Sequence, residues 1–109
     1  MDDDTFERGH VVWHPSLFKD GGRPYLILSD GSHPFHGKEY IVVGVTTTER
    51  EEAVVLTQDN WKVGGLPKKS YVSPWFVATL KHAGIDRGVG ALSEDVIEEV
   101  GEEVSGYVS

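Results

Sequence analysis

The group best suited to chemistry in this sequence is an arginine between two glycines and a proline, Gly21-Gly22-Arg23-Pro24. Proline has a fixed φ and no N–H to donate, so Pro24 suits the first position of a β-strand and restrains Arg23 to extended geometry. A guanidinium offers a rigid fork of donors that matches a phosphate group. The motif therefore predicts a phosphate-binding cation at the start of a strand, beside a flexible glycine loop.

Three consecutive threonines, Thr46, Thr47 and Thr48, end the strongest predicted strand, residues 39–48. A threonine hydroxyl is a neutral donor on a stiff, β-branched stem. Negative charge builds on the oxygens of a phosphate under attack, so donors fixed there lower the barrier. The alternative is a run of high β-propensity on a half-buried strand. The pattern does not decide which of the three hydroxyls would act.

Lysines and histidines elsewhere in the chain allow a functional and an ordinary interpretation. Lys68 and Lys69 could steer a phosphate, although lysines in a turn are usually only solvated. His33 and His36 share a predicted loop without a third ligand nearby, so no metal site is expected there. His10 and His14 flank the first predicted strand, where they could transfer protons or simply cover the surface.

The composition describes one domain over residues 1–109 and excludes several classes of site. The chain has no cysteine, which excludes disulfides, Cys-based zinc sites and thiol nucleophiles. Its net charge of −8 argues against a nucleic-acid partner, but the acidic residues concentrate at the two ends and leave residues 11–92 near neutral. The acidic start, residues 1–8, is expected to be flexible. It resembles no secretory signal, and no apolar run approaches the roughly 20 residues of a membrane span, so we expect a cytoplasmic protein.

Short runs of β-branched and aromatic residues between turn residues predict a mainly β (α+β) fold. The strands are expected at residues 10–14, 24–29, 39–48, 53–57 and 70–79, whereas residues 60–69 are expected to form a polar hairpin-like excursion and 84–90 a loop. Gly44 suggests a bulge or a close backbone approach, and Pro74 an edge or a break in its strand.

The C-terminal segment, residues 93–104, has the pattern of an amphipathic helix. Ser93 is a suitable N-cap, and an apolar stripe at helical spacing follows it, formed by Val96, Ile97, Val100 and Val104. Strands and helix together predict a small β barrel closed by a C-terminal helix. Trp13, in the first strand, is expected in the core of that barrel.

Four segments in this order resemble the MazF/PemK family of toxin endoribonucleases. They are Gly9-His10-Val11-Val12-Trp13, then Gly22-Arg23-Pro24 leading into Leu26-Ile27-Leu28-Ser29, then Val42-Val43-Gly44-Val45-Thr46-Thr47, and finally Gly65-Leu66-Pro67-Lys68-Lys69-Ser70-Tyr71-Val72 with Leu92-Ser93 opening the helix. The resemblance implies an SH3-like barrel, usually a homodimer, that cleaves single-stranded RNA without a metal or other cofactor. The attacking group would be the RNA's own 2′-hydroxyl, and a cognate antitoxin protein would be a partner.

The resemblance also implies roles for individual residues. The family's catalytic arginine corresponds to Arg23, and its catalytic threonine to Thr46, with Thr47 as the neighbouring alternative. Arginine is a poor proton acceptor near neutral pH, so Arg23 is assigned to charge stabilisation. The RNA groove would be shaped or charged by Lys19, Gly21, Gly22, Lys68 and Lys69.

The sequence departs from the family pattern in two places. The loop before the glycines is Ser16-Leu17-Phe18-Lys19-Asp20 instead of a longer polar one. The stretch Trp75-Phe76-Val77-Ala78 lacks a Gln and an Arg that members commonly carry there. Its aromatic residues could stack on unpaired bases, each worth about 1–3 kcal/mol.

Two alternatives to an endoribonuclease follow from these departures. One is a non-catalytic SH3-like module that binds RNA or a protein partner through Trp61, Trp75 and Phe76. The other is a toxin on the same barrel that binds a protein target such as a topoisomerase.

Overall fold

The structure, a computed structural model, describes residues 5–15 and 21–108. Seven strands, one C-terminal α-helix and two short 3₁₀ helices, Gln58–Asn60 and His82–Gly84, make up the regular structure of this part of the chain. The strands are β1 (His10–Pro15), β2 (Gly22–Ile27), β3 (Glu39–Thr46), β4 (Val54–Leu56), β5 (Trp61–Gly64), β6 (Ser70–Lys81) and β7 (Arg87–Leu92), and the helix is α1 (Glu94–Val108).

All of the strand pairings are antiparallel, in the order β4-β6-β3-β2-β1-β7-β5. The sheet curls into a nearly closed barrel with α1 against it. The predicted mainly β fold, a small barrel with a C-terminal helix, is confirmed. No helix in the described part of the chain is long and apolar enough to cross a membrane.

Apolar residues on the two faces of the sheet form two clusters. The larger cluster includes Val11 of β1, Leu26 of β2 and Val43 of β3, and the helix adds Val96, Ile97 and Val100, all of them buried. The smaller cluster surrounds Tyr40. Fully burying one such side chain stabilises the fold by about 1.5–3 kcal/mol. The alternation of adjacent residues between the clusters holds β1 and β2 in one register, so their ends lie at a fixed place.

The register between β3 and β6 shifts where Gly44 was expected to mark a bulge. Val43 pairs with Val77, but the next residue of β3, Gly44, pairs with Ser73. Residues 74–76 therefore form an irregular segment, and the Phe76 ring lies 3.5 Å from the point where a Gly44 Cβ would be. The bulge expected at Gly44 is confirmed by this shift in register. A break at Pro74 is not found, because β6 continues through that residue to Lys81, although the irregular segment begins there.

The sequence pattern did not predict two of the strands, β5 and β7. Residues 60–69 and 84–90 were expected to be an excursion and a loop, but β5 and β7 pair with each other there. The glycines of these strands weaken the β pattern, yet they are needed for close contact. A Cβ on Gly90 would lie 2.5 Å from the carbonyl oxygen of Val63 and 2.9 Å from the Trp61 ring.

The two ends of the described chain are attached to the barrel. The Phe6 N–H donates to the Tyr40 hydroxyl (3.1 Å), and the Phe6 ring lies against His82. At the other end the Ser93 carbonyl accepts from the Ile97 N–H (3.2 Å), which begins α1. The helix continues to Val108, four residues beyond the end suggested by the apolar stripe.

Candidate active site

A groove of about 360 Å³ opens where β2 begins and β3 ends. Its walls come from β1, β2, the end of β3 and the segment that connects β5 to β6. The residues lining it are Trp13, Gly22, Arg23, Pro24, Val45, Thr46, Thr47, Leu66, Pro67, Lys68 and Ser70. The fold thus brings together Arg23, both threonines and Lys68, which are far apart in the sequence.

Arg23 lies on β2 opposite His14 of β1, and its side chain is half-buried in the groove wall. Within the described residues no carboxylate forms an ion pair with it. Asp30, a carboxylate that follows β2, accepts hydrogen bonds from the Ser32 hydroxyl (2.7 Å) and N–H (2.9 Å) instead of pairing with Arg23. These bonds hold the pKa of Asp30 below its ordinary value. Asp20, a carboxylate close to Arg23 in the sequence, lies outside the described residues.

Thr46 is the last residue of β3 and its hydroxyl is fixed by the turn that follows. The Thr46 Oγ1 accepts a hydrogen bond from the Thr48 N–H at 3.1 Å. This bond uses an acceptor lone pair of the hydroxyl and leaves its proton to be donated into the groove. Thr47 also lines the groove but is exposed, whereas Thr48 does not line it. The arrangement favours Thr46 as the positioned donor.

The charge of the groove is opposite to that of the chain. The chain has a net charge of −8, but the described lining residues include Arg23 and Lys68 and not one carboxylate. The Ser70 hydroxyl donates to the Lys68 carbonyl oxygen (2.9 Å), which holds the turn that carries this lysine. A half-enclosed site with two cations and fixed neutral donors is suited to a phosphate diester.

Trp13 lines the groove and is only half-buried, so its expected place in the core is wrong. A Cβ on Gly22 would lie 2.5 Å from the Trp13 Nε1, so only glycine fits beside the indole. The Arg87 guanidinium lies 5.3 Å from the ring centroid on the neighbouring strand β7. Sequence reasoning also missed Leu66, Pro67 and Ser70 as wall residues. The sequence offered one signal for Trp13, the alternation of side chains along β1. Trp13 lies on the opposite face from Val12 and on the same face as Val11, near the end of the strand.

The other residues proposed to bind RNA lie at varied distances from this groove. Gly21 precedes the groove at φ +89°, and Lys69 is exposed without lining it. Trp61 is half-buried against the larger apolar cluster. Lys19 lies outside the described residues. The roles assigned to these four residues remain predictions.

Trp75 and Phe76 occupy the irregular segment of β6, where they are 38% and 43% exposed. The Trp75 ring meets Tyr107 of α1 edge-on, and the Phe76 ring lies 6.4 Å from that of Tyr25. Neither lines the groove. The proposed stacking of bases on these rings also remains a prediction.

The histidines take structural positions. Neither His10 nor His14 lines the groove. The Glu7 N–H donates to the Nδ1 of His10 (3.1 Å), and the His36 Nε2 lies 3.2 Å from a Glu7 carboxylate oxygen. In the described part of the chain, no group of three or more His, Asp or Glu side chains is arranged to hold a metal ion.

A second cavity, of about 560 Å³, lies beside the first residues of the described chain. It is lined by Thr5, Phe6, His10, Val63, His82, Ile85, Asp86, Gly88, Gly90 and Ala91. It shares no lining residue with the groove and contains no lysine or arginine. The His82 Nδ1 lies 2.8 Å from the Tyr40 hydroxyl, so this histidine belongs to the contacts that attach Phe6.

Comparison with solved structures finds the same fold in bacterial toxins. An endoribonuclease in complex with its cognate antitoxin, from a mycobacterial species, has a TM-score of 0.78 and 20% identity over 94% of each chain. A MazE–MazF complex from Deinococcus radiodurans gives 0.73 and 20% over 96% of each chain. The Mycobacterium tuberculosis toxin MazF-mt6 gives 0.66 and 23% over 88% of this chain and 94% of that one.

Comparison of the sequence with curated proteins gave no match. Residues 7–106, by contrast, match a family profile described as the PemK-like, MazF-like toxin of type II toxin–antitoxin systems. The match covers nearly the whole chain, including Arg23 and Thr46. This chain therefore belongs to the PemK/MazF-like family of type II toxins.

Proposed function

We propose that this protein is a toxin endoribonuclease that cleaves single-stranded RNA in the groove between Arg23, Thr46 and Lys68. The observation that carries the proposal is the gathering of two cations and a positioned hydroxyl, without a carboxylate, in the described lining of one groove. Several proteins of the same fold are endoribonucleases, which supports the assignment. Family membership supports it further.

The proposed reaction is an attack of the RNA's 2′-oxygen on the adjacent phosphorus. A bond forms between O2′ and phosphorus, the bond from phosphorus to O5′ breaks, and the products are a 2′,3′-cyclic phosphate and a 5′-hydroxyl. The 2′-hydroxyl proton passes to solvent and the leaving oxygen takes one from solvent. The protein contributes electrostatics: Arg23 and the Thr46 hydroxyl donate to the non-bridging oxygens, where negative charge grows in the transition state.

The nucleophile belongs to the substrate, so the groove needs no activated side chain and the reaction is proposed to need no metal. A fixed donor lowers the barrier only if it already points at the reacting phosphate. The Thr48 N–H fixes the Thr46 hydroxyl, and Pro24 restrains the backbone of Arg23. Lys68, exposed at the groove edge, adds attraction for the next phosphates.

The proposed partners are a cognate antitoxin and a second copy of the chain, in the cytoplasm, where the RNA is. An acidic antitoxin segment would complement Arg23 and Lys68 and so occupy the groove in place of RNA. A mycobacterial protein of this fold binds its cognate antitoxin, which supports this arrangement. The exposed aromatic residues Trp75, Phe76 and Tyr107 offer apolar area for the homodimer.

The test is cleavage of an end-labelled single-stranded RNA in EDTA, with the product ends identified by mass. We expect 2′,3′-cyclic phosphate ends, and no cut where the nucleotide before the break is 2′-deoxy. Arg23→Ala should slow the cuts by about 10²- to 10³-fold while circular dichroism shows an unchanged fold. Cleavage that requires a divalent ion, or that persists at the 2′-deoxy position, would refute the mechanism.

The runner-up, a non-catalytic module, is favoured by one observation: exposed Trp75 and Phe76 stand where the family commonly has polar groups. It predicts that the protein binds the RNA and leaves it intact. Filter binding of the same labelled RNA, with Trp75→Leu beside the unmutated protein, separates the two functions. Binding without cuts that is lost in Trp75→Leu supports the module.

A further inference from the structure

Trp13 is unexplained by the chemistry proposed above. The reaction uses donors to phosphate, yet the groove also includes a large aromatic ring that is only half-buried. A tryptophan that serves only the core would be buried in the apolar cluster on its own face, with Val11, and Trp13 is not part of that cluster. The indole instead forms part of the wall of a groove that is otherwise suited to a polyanion.

The indole is held in this position from two sides. Gly22 leaves room for its Nε1 edge, since a Cβ there would lie 2.5 Å away. The Arg87 guanidinium lies 5.3 Å from the ring centroid and pairs with the carboxylate of Asp86. The Asp86 N–H also donates to the Trp13 carbonyl oxygen (2.8 Å), which ties the backbone to the same segment.

Arg87 contacts the indole but does not line the groove, so the indole separates this cation from the groove. A cation over one face of an aromatic ring leaves the opposite face for another flat group. Among the described residues the Trp13 Nε1–H has no acceptor, so a donor is available at the ring edge. An unpaired nucleobase has both a flat face for the ring and acceptors for this N–H.

The position of Trp13 relative to Arg23 selects which base would stack. Trp13 is the cross-strand partner of Pro24, and Arg23 is the partner of His14, so the two residues lie on adjacent rungs of one ladder. Side chains on adjacent rungs leave opposite faces of a sheet, but at this strand end both residues line the same groove. A base attached to a ribose beside a phosphate on Arg23 would therefore lie in the same groove as the indole.

We propose that Trp13 is a specificity-determining residue on which the base of a nucleotide flanking the scissile phosphate stacks, with Arg87 and Gly22 as its positioning residues. The inference rests on the proposed endoribonuclease function and adds a base-binding subsite to it. Stacking of one base on an aromatic side chain corresponds to roughly 5-fold to 150-fold in affinity.

The test measures kcat/KM on two RNAs that differ only in an abasic ribose at one flanking nucleotide. An abasic ribose keeps its 2′-hydroxyl and its phosphates, so the chemistry is unaffected. Two such pairs of RNAs are prepared, one with the abasic ribose on the 5′ side of the cut and one with it on the 3′ side. The unmutated protein should lose roughly 5-fold to 150-fold at one of the two positions. On intact RNA, the kcat/KM of Trp13→Leu should be lower than that of the unmutated protein by the same factor. On the abasic RNA, the kcat/KM of Trp13→Leu should fall no further.

Two further variants separate stacking from a structural role. Trp13→Phe keeps a flat ring and should keep the sensitivity to the abasic position. Phe35→Leu removes an exposed aromatic residue outside the groove and should respond to the abasic RNA like the unmutated protein. Melting temperatures measured for all variants show which of them fold.

Opposite results overturn the inference. An undiminished abasic penalty in folded Trp13→Leu would show that the base does not stack on this ring, while the proposed nuclease function stands. Equal cleavage of intact RNA by Trp13→Leu and the unmutated protein would show the same. If the unmutated protein cuts neither RNA, the endoribonuclease function itself is refuted, and the inference with it.

Discussion

The two cavities of this barrel differ in chemistry more than in size. In the larger, of about 560 Å³, the polar side chains of His10, His82 and Asp86 each contact a neighbouring group of the chain. Its His10 accepts from the Glu7 N–H, and its His82 lies against the Tyr40 hydroxyl. The smaller, of about 360 Å³, presents Arg23, the Thr46 hydroxyl and Lys68.

This difference separates a site that attaches part of the chain from one that can accept a ligand. In the larger cavity the polar contacts hold residues 5–10 on the barrel, so changes there should alter stability. In the groove Arg23 has no carboxylate partner within the described residues, so changes there should alter cleavage. Each prediction below tests this division.

The largest expected effect is that of Arg23→Ala on cleavage. Loss of one charged donor to the transition state should lower kcat by about 10²- to 10³-fold. Arg23→Lys should recover only part of this rate, because an ammonium keeps the charge without the guanidinium fork. Single-turnover cleavage measures both, and His10→Gln in the larger cavity is the matched control, expected to cut at the original rate. Slow cleavage by His10→Gln would show that the larger cavity also contributes to cleavage.

Thr46→Val should lower kcat by about 10- to 100-fold, since it removes one neutral donor and keeps the shape of the side chain. Thr46→Ser keeps the hydroxyl, so its kcat should stay close to that of the unmutated protein. Thr47→Val is the comparison within the same groove and should have the smaller effect. A larger loss in Thr47→Val would assign the donor to Thr47 instead.

Gly22→Ala should affect both stability and cleavage. Its Cβ would lie 2.5 Å from the Trp13 Nε1 and 2.7 Å from the His14 carbonyl oxygen, and such overpacking costs about 1–3 kcal/mol. The displaced indole should also slow cleavage. Gly31→Ala has open space around its Cβ and an ordinary φ, so it is the neutral control. Chemical denaturation together with the cleavage assay checks both variants, and a fully stable, fully active Gly22→Ala would contradict the packing described.

Tyr40→Phe should lower the free energy of unfolding by about 1–2 kcal/mol, because the Phe6 N–H and His82 lose a buried partner. Cleavage per folded molecule should stay unchanged well below the melting temperature. Urea unfolding and cleavage at low temperature measure the two quantities. Reduced cleavage by the folded variant would link the larger cavity to activity.

The smallest expected effect separates the two adjacent lysines. Lys68 lines the groove and Lys69 does not. Lys68→Ala should reduce the slope of log affinity against log salt concentration by about one unit, as for one lost phosphate contact. Lys69→Ala should leave that slope nearly unchanged. Filter binding of a short uncleavable RNA at several salt concentrations gives both slopes, and equal slopes would place the lysines in equivalent positions.

The sequence predicts the parts of this fold that depend on local pattern. The central strand, predicted over residues 39–48 and found at Glu39–Thr46, the apolar stripe of α1 and the bulge at Gly44 follow from residue type and spacing. The strands β5 and β7 do not, because their glycines serve contacts between strands that are distant in sequence.

The same limit applies to the candidate site. Arg23 and the threonines could be identified because their own chemistry and motif distinguish them. The grouping of Lys68 with them, and the exposure of Trp13, depend on how the barrel closes at the strand ends. The position of Trp13 further depends on a glycine one strand away, which no local pattern reveals.

The most direct test of the central claim asks which cavity binds RNA. Amide chemical shifts of the ¹⁵N-labelled protein are followed while a short single-stranded RNA with 2′-O-methyl groups, which cannot be cleaved, is added. We expect the amide chemical shifts of Arg23, Thr46, Thr47 and Lys68 to change. Those of His10 and Gly88, in the larger cavity, should stay the same. Shifts that concentrate at His10 and Gly88, with the groove silent, would contradict this expectation.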